Sequence, residues 1–573
     1  MAETILSPGV VTNENDTSFI TQQPIEAGAA IIGPAVKGPV ERPTIITTYS
    51  EYVNTFGTTF LSGSQIYSYF TSISAYNYFN NGGTSLLVTR VTSGSFTPAT
   101  SSFTSGSDVS QGSVFTLETL SEGVITNSDS TENSDGSLPL GSVDNVRWQI
   151  TSPNTSSGTF TLLVRRGDDD TNSPVVLETW DNLSLDPLDP NYIEKVIGNQ
   201  STSIATDGSD TYLQLSGNFQ NQSRYVRVKE VSLKTPNYLD NSGDPVTAYT
   251  ASIPVAGRGV FGGAIGENIS STEGKYYENI TNTNTQGLAA TDYTQTINLL
   301  SNKDEYQFKY ITMPGLIRDF ASHASTVNSL VTMCRERGDT MAIVDMLDYN
   351  ANLSEVTTEA STVNSSYAAT YWPWLQTQDP NSGQQVWVPA STMIPSVYAF
   401  NDASTEPWFA PAGINRGTLP TVIKAERILT QGNRDTLYQA NVNPIATFPG
   451  SGISVFGQKT LQKKSSALDR VNVRRLLIAL KKFVGDVSRE LVFEQNTNVT
   501  RNKFLAQVNP YLTSVVEQQG LFAYRVVMDD TNNTSDVIDR NQLIGQILIQ
   551  PARTVEFVVL DFTIEPTGAT FGA

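Results

Sequence analysis

The sequence predicts an α+β multi-domain protein: an α/β C-terminal core domain, extended N- and C-terminal strand arms, and inserted β-rich outer domains. Three observations predict it. The chain has 573 residues, several times the roughly 150 of one compact unit. Strand–helix–strand patterning appears early, stops, and resumes near residue 290. Between these stretches the composition changes: after Arg90 no Lys or Arg occurs until Arg147, while Asp108, Glu118, Glu122, Asp129, Glu132, Asp135 and Asp144 do.

Residues 1–22 hold few large apolar groups, and Pro8-Gly9 breaks any helix. They read as a frayed end or as an arm that pairs with a neighbour's sheet edge. A first α/β part spans 23–91. Ala27–Val36 is a small-residue apolar strand. Ile66, Phe70, Ile73, Tyr76 and Phe79 predict a helix over 65–79, stopped by Asn80–Gly83, and Leu86–Val91 is a buried strand. Residues 92–146 read as an acidic β insertion with strands at Val114–Leu117 and Gly123–Ile125. Residues 147–290 read as a second, β-rich or α+β insertion. Its strands are Arg147–Ile150, Phe160–Arg165 and Val175–Trp180, and turn chemistry from Asp186 leads into a helix over 191–198.

The α/β pattern returns over 291–430. Phe320, Ala324, Val327, Val331 and Cys334 share one helix face, Gly338 caps that helix, and Met341–Leu347 is a strand. An inner C-terminal domain is placed at 431–550, with helices over 471–494 and 500–516 and strands at 521–528 and Leu543–Ile549. Residues 551–573 supply a last strand, Val555–Ile564, and an arm.

Composition limits function. Lys+Arg is 36 against 56 Asp+Glu, a net charge of −20, and a surface that neutralises phosphates needs the opposite balance. We therefore expect no nucleic acid partner. One Cys (Cys334) forbids an intrachain disulfide and a Cys zinc cluster, and one His (His323) forbids a two-His metal site. The N-terminus has no signal-peptide pattern, and no apolar run approaches the ~20 residues that span a bilayer, so no membrane insertion is expected.

Local motifs point to turns and packing. Gly257–Gly262 has the spacing G-x-G-x-x-G, but Pro254 interrupts the strand that should precede it, so it reads as a flexible glycine loop. Gly452–Gly457 is followed by Gln458 before Lys459, which spoils a phosphate-loop register, and Ile453–Phe456 reads as a strand. Asp168-Asp169-Asp170 reads as a hairpin turn. Cys334 reads as a core thiol.

The helix from 471 stands apart. Residues 456–503 carry eleven Lys/Arg and four Asp/Glu, a local +7 that leaves −27 on the rest. At about 100° per residue, Val473, Leu476, Leu477, Leu480, Phe483, Val484, Val487 and Leu491 fill one arc, with Val471 and Ile478 as exceptions. Arg475, Lys482 and Arg489 form a stripe opposite. Arg470, Arg474 and Lys481 form a second stripe on one flank. These six residues are candidates for contact with an acidic surface, another copy or an assembly partner.

The C-terminal half closely resembles tail sheath proteins of contractile bacteriophages, of the large myovirus type. The residues that carry the resemblance are Pro411–Gly417, Asp469–Leu476, Tyr524–Val527, Asp530–Thr534, Val537–Asn541 and Ile549–Arg553. Ser7–Val10, Phe79–Gly83, Phe160–Gly167 and Asn182–Pro187 are similar to the family nearer the N-terminus. The resemblance covers about 1–91, 150–200 and 400–565.

It implies a structural protein of the virion tail, assembled in the host cytoplasm, with no active site and no cofactor. Subunits would form a homo-oligomer of stacked, helically offset six-fold rings around the tail tube protein, with baseplate and tail terminator proteins as further partners. The C-terminal domain would lie innermost, its basic stripes against the tube, and the inserted domains outward. Arms carrying Val10, Val11, Phe19 and Ile20 at one end and Val555, Phe557, Val559 and Phe562 at the other would donate strands to neighbours. Contraction would drive the tube through the host envelope. A sheath of a contractile injection system or bacteriocin is the nearest alternative. A glycan-binding adhesin, using Tyr371-Trp372-Pro373-Trp374, is the alternative of a different class.

Overall fold

The computed structural model describes residues 26–62, 65–105, 113–128, 131–208, 210–267 and 280–556. The arm residues Val10, Val11, Phe19, Ile20, Phe557, Val559 and Phe562 lie outside them. An eight-stranded sheet organises the chain. Its order is Thr44–Ile46, Leu86–Arg90, Ala27–Gly33, Phe308–Ile317, Met341–Asp345, Ala368–Trp372, Asn443–Phe448 and Gly452–Val455. The six inner strands are parallel and the two edge strands antiparallel.

A parallel sheet is covered on both faces, and side chains alternate along each strand. So Ala29 and Ile31 enter one core while Ala30 and Ile32 enter another. The helices Phe70–Asn80 and Ala390–Ser404 cover the first face, and Ala321–Arg337 covers the second. Gly338 ends that last helix in the left-handed conformation, at φ +71°. Cys334 is buried in its core.

Several expectations need correction. The helix expected over 65–79 begins at Phe70. Gln65–Ser68 is a strand paired with Thr59–Ser62, drawn there by Tyr67 and Tyr69 packing on Phe60. Val124–Thr126 is a 3₁₀ turn, because Gly123, at φ +106°, turns the chain out of the preceding strand Ser113–Glu122. The strand expected to run to Ile564 from Val555 has no counterpart at Val555 and Glu556, the part of it that is described; the strand before it runs Gln546–Pro551, through the proline.

The two expected insertions are one body. Phe103, Phe115 and Leu117 share a core with Ile150, Phe160, Leu162, Val226 and Phe261. Ser113–Glu122 pairs with Val226–Val231, so neither half closes its sheet alone. Gly257–Val260, expected as a loop, is a strand on Val146–Asn154. A side chain at Gly259 would stand 2.5 Å from the Trp148 ring, so the glycine serves close approach and not phosphate binding. The division expected at 431 falls inside the central sheet, which continues to Val455.

Several acids of the insertion are held in buried ion pairs. Asp169, in the hairpin turn, is buried between Arg147 at 3.2 Å and Arg165 at 2.7 Å. Arg147 also meets Glu132, and Arg227 meets Glu118 at 2.6 Å. The cluster Tyr371, Trp372, Trp374 is buried beneath the surface, which removes the feature that suggested an adhesin. Among the described residues no helix is long and apolar enough to cross a membrane, and no three His, Cys, Asp or Glu side chains are grouped to hold a metal ion.

His323 is fully buried, and its Nδ1 accepts the Ile317 N–H at 3.2 Å. Burial pushes its pKa down to about 4, while the unfolded chain titrates near about 6.5. Neutral His323 therefore contributes stability that is complete above the unfolded value and is lost as pH falls toward 4. As the chain has one His, a labelled imidazole gives one NMR signal. We expect it to show no protonation in the folded protein down to about pH 5; a midpoint near 6.5 would refute this reading.

Candidate assembly surface

After Val455 the chain builds a separate C-terminal unit. The basic helix, Val471–Arg489, packs Leu476, Leu480 and Val487 against Phe504, Val508 and Leu512 of the helix Asn498–Glu517. Phe483 stacks on Tyr511 at 3.8 Å between ring centroids. Strands Leu521–Val527 and Gln546–Pro551 form a two-stranded antiparallel sheet. Tyr524, Val526, Ile547 and Ile549 face the helices and complete this core. The turn between the strands is held by side chains: Asn533 bonds the Asp529 and Ile544 carbonyls, and Asn532 bonds the Val527 carbonyl.

The helix has a second buried face. Val471 and Ile478, the exceptions on the helical wheel, enter the core of the central domain. Arg475 lies between them in the helix and is buried with them. Its guanidinium meets Asp402, on the helix Ala390–Ser404, and lies 4.7 Å from the Tyr398 ring. Arg474 is also buried. It bonds the Ser366 carbonyl at 3.2 Å and hydroxyl at 2.5 Å and covers the Tyr367 ring at 4.0 Å.

The expected tube-facing stripes are thus largely spent inside the subunit. Lys481 donates to the Tyr367 hydroxyl at 3.2 Å, and Lys482 pairs with Glu26 at 2.6 Å. Arg470 pairs with Glu556 at 2.6 Å and Asp469 at 2.9 Å. Arg489 pairs with Asp304 at 2.8 Å and, like Lys481, stays exposed. The reason is tertiary: a wheel shows one helix, and this one lies between two cores. Arg474 and Arg475 are buried within the subunit, and their guanidiniums are engaged there.

What the unit leaves open is its sheet. Among the described residues neither strand has a second partner, so each presents one row of unpaired N–H and C=O groups. A bulge between Leu521 and Ala523 leaves Phe522 79% exposed, and Leu548 is 48% exposed on the side away from the helices. Sequence patterning missed these two residues because apolar strand residues read as core.

Unequal burial gives unequal consequences. Arg475→Ala leaves Asp402 half of a buried pair and should cost about 3–5 kcal/mol. Arg489→Ala, at an exposed pair, should cost under about 0.5 kcal/mol. Urea midpoints compare them, and equal losses would refute the buried-face assignment.

Comparison with known proteins places this fold. The family model for the phage tail sheath protein central domain matches residues 268–461, and that for the phage tail sheath C-terminal domain matches 463–565. The tail sheath protein of Vibrio phage KVP40 is 37% identical over 209 residues, 36% of this chain and 31% of that protein. The tail sheath protein of Enterobacteria phage T4 is 36% identical over 232 residues, 40% of this chain and 35% of that protein. The matches thus span about a third of those relatives' length. The crystal structure of a sheath tail protein from Listeria innocua shares the fold, with a TM-score of 0.53 and 11% identity over 92% of this chain and 96% of that one. The two matched domains together take in more than half of the sequence, and the chain belongs to the phage tail sheath protein family.

Proposed function

We propose that this chain is a sheath subunit that polymerises as stacked six-fold helical rings around a tail tube. Strand donation ties the rings together, and contraction drives the tube through the host envelope for genome delivery. The observation that carries this reading is the two-stranded C-terminal sheet with no strand on either outer edge among the described residues. An extended segment adds to such an edge through main-chain hydrogen bonds, and side-chain pockets then set its register.

Both terminal segments have the composition to do so. Val10, Val11, Phe19 and Ile20 lie in the first, and Phe557, Val559 and Phe562 lie in the second. Each copy gives and receives, so the contact is heterologous, the kind that propagates into a helical filament. Main-chain pairing survives rigid rotation of the joined bodies, which suits two packings of the same subunits. The energy of contraction would come from the difference between those packings, with no catalytic step in the subunit.

The test is assembly. Removing residues 1–20 should leave a monomer with an unchanged unfolding midpoint but no striated tubes in negative stain. Phe522→Asp with Leu548→Asp should do the same, because both side chains are exposed and cost little when changed. Ordered tubes from the shortened chain would end the strand-donation reading.

A further inference from the structure

A groove of about 840 Å³ separates the C-terminal unit from the central domain. The segment Ala552–Glu556 lies along it. The loop carrying Phe409 and Arg416 and the helix Gln431–Gln439 form other walls. Aromatic rings and cations alternate there. Arg416 lies 5.0 Å from the Phe409 ring, and Arg434 lies 5.4 and 5.9 Å from Phe448 and Phe456. Arg416 donates Nε to the Ala410 carbonyl, and Arg434 donates one terminal nitrogen to the Leu429 carbonyl. These contacts orient both guanidiniums and leave donors over. Among the described residues, the ion pairs of this region engage Arg470 and Arg475, and none involves Arg416, Arg434 or Arg553. The acids lining the groove are Asp435 and Glu556, and Glu556 is taken up by Arg470.

The chain enters this groove at a fixed point. The Glu556 carboxylate accepts from Arg470 at 2.6 and 3.0 Å, from the Tyr438 hydroxyl at 2.7 Å and from the Gln458 amide at 3.0 Å. Burial alone would raise its pKa, but these donors hold it below the ordinary carboxylate range. Val555, one residue earlier, stands 81% exposed beside the groove.

We propose that in the unassembled subunit this groove is occupied by residues 557–565 of the same chain. The segment starts where Glu556 is clamped, at the rim of the groove, and the five residues to Asp561 reach at most about 17 Å from it. Residues 557–573 contain Asp561 and Glu565 and no Lys or Arg, the complement of Arg416, Arg434 and Arg553. Phe557, Val559 and Phe562 offer apolar groups to walls that include Trp408, Phe409 and Phe456. A segment joined at the rim has a high effective concentration there, which favours it over the same segment of a second copy. The inference goes beyond strand donation: it gives the donor strand a resting place on its own body before a neighbour's edge is available.

Hydrogen exchange on the full chain tests it, at concentrations where sedimentation shows only monomer. The amides of 557–565 should exchange at least about tenfold more slowly than an unstructured segment. Arg416→Glu with Arg434→Glu should remove that protection, and adding Asp561→Lys with Glu565→Lys should restore it. Unprotected exchange in the unaltered chain would overturn the proposal, as would protection that survives reversal of the two arginines. Because the readout is taken on monomer, it is independent of whether tubes form.

Discussion

The attachment of the C-terminal unit rests on one buried charge. Arg475 carries its guanidinium into the space between two cores and finds Asp402 and the Tyr398 ring there. Taking a cation out of water is tolerable only if its partner is fixed, so the helix cannot roll without stranding the charge. That fixes which residues face which side. Val471 and Ile478 look toward the central sheet, and Leu476, Leu480 and Val487 toward the second helix. The sheet Leu521–Val527 with Gln546–Pro551 follows from that helix pair. Its open edges are therefore held at a set orientation to the eight-stranded sheet. A subunit that transmits force as a near-rigid body in the proposed sheath needs this property, because a swivelling unit would absorb the motion.

The insertion is tied in by the same means. Arg90, at the end of a central strand, is fully buried and donates to the carbonyls of Ala35, Gly38 and Glu122. Burial lowers its pKa to about 10, so it remains charged at neutral pH. Glu122 in turn pairs with Arg42 at 2.5 Å. The first residues after the composition change thus close back on the central domain. Ile204 and Leu213, in the hairpin of the insertion, also pack on a central core. The acidic stretch reads as a surface because it lacks Lys and Arg, yet Glu118 and Glu122 are buried against arginines from distant parts of the chain.

That contrast marks how far the sequence could be read. Ala27–Gly33, Leu86–Arg90 and Met341–Asp345 were legible because strands buried on both faces are short apolar runs bounded by turn residues. The two long C-terminal helices were legible from 3.6-residue periodicity. The hexapeptide Gly257–Gly262 was not, because its role depends on Trp148, more than a hundred residues away, lying against Gly259. The intramolecular partners of the basic stripes are hidden from the sequence for a similar reason. The charges at 470, 474 and 475 are real, but Glu556, Ser366 and Asp402 come from other elements. Val471 and Ile478 were the available signal: apolar residues off the main arc mean a helix with two buried faces. The family resemblance survived these local errors because it rested on whole segments, such as the Asp530–Thr534 turn built by Asn532 and Asn533.

An open sheet edge is an aggregation hazard. The charge distribution bears on this. With −20 overall and +7 concentrated near the basic helix, the remaining surface of one copy repels another, and indiscriminate edge-to-edge pairing is opposed at long range. Most of the positive charge near the helix is neutralised within the subunit, by Glu26, Asp402 and Glu556 among others, so it does not supply a general attraction between copies. In the proposed assembly, association is then left to directional contacts: a strand meeting an edge in one register, with the apolar side chains on the correct face. Strand pairing of this kind needs no net electrostatic attraction, and it is lost if the register slips by one residue. In the proposed sheath, the −27 outside the basic segment, a poor basis for binding nucleic acid, would keep subunits apart until a growing end presents the matching edge.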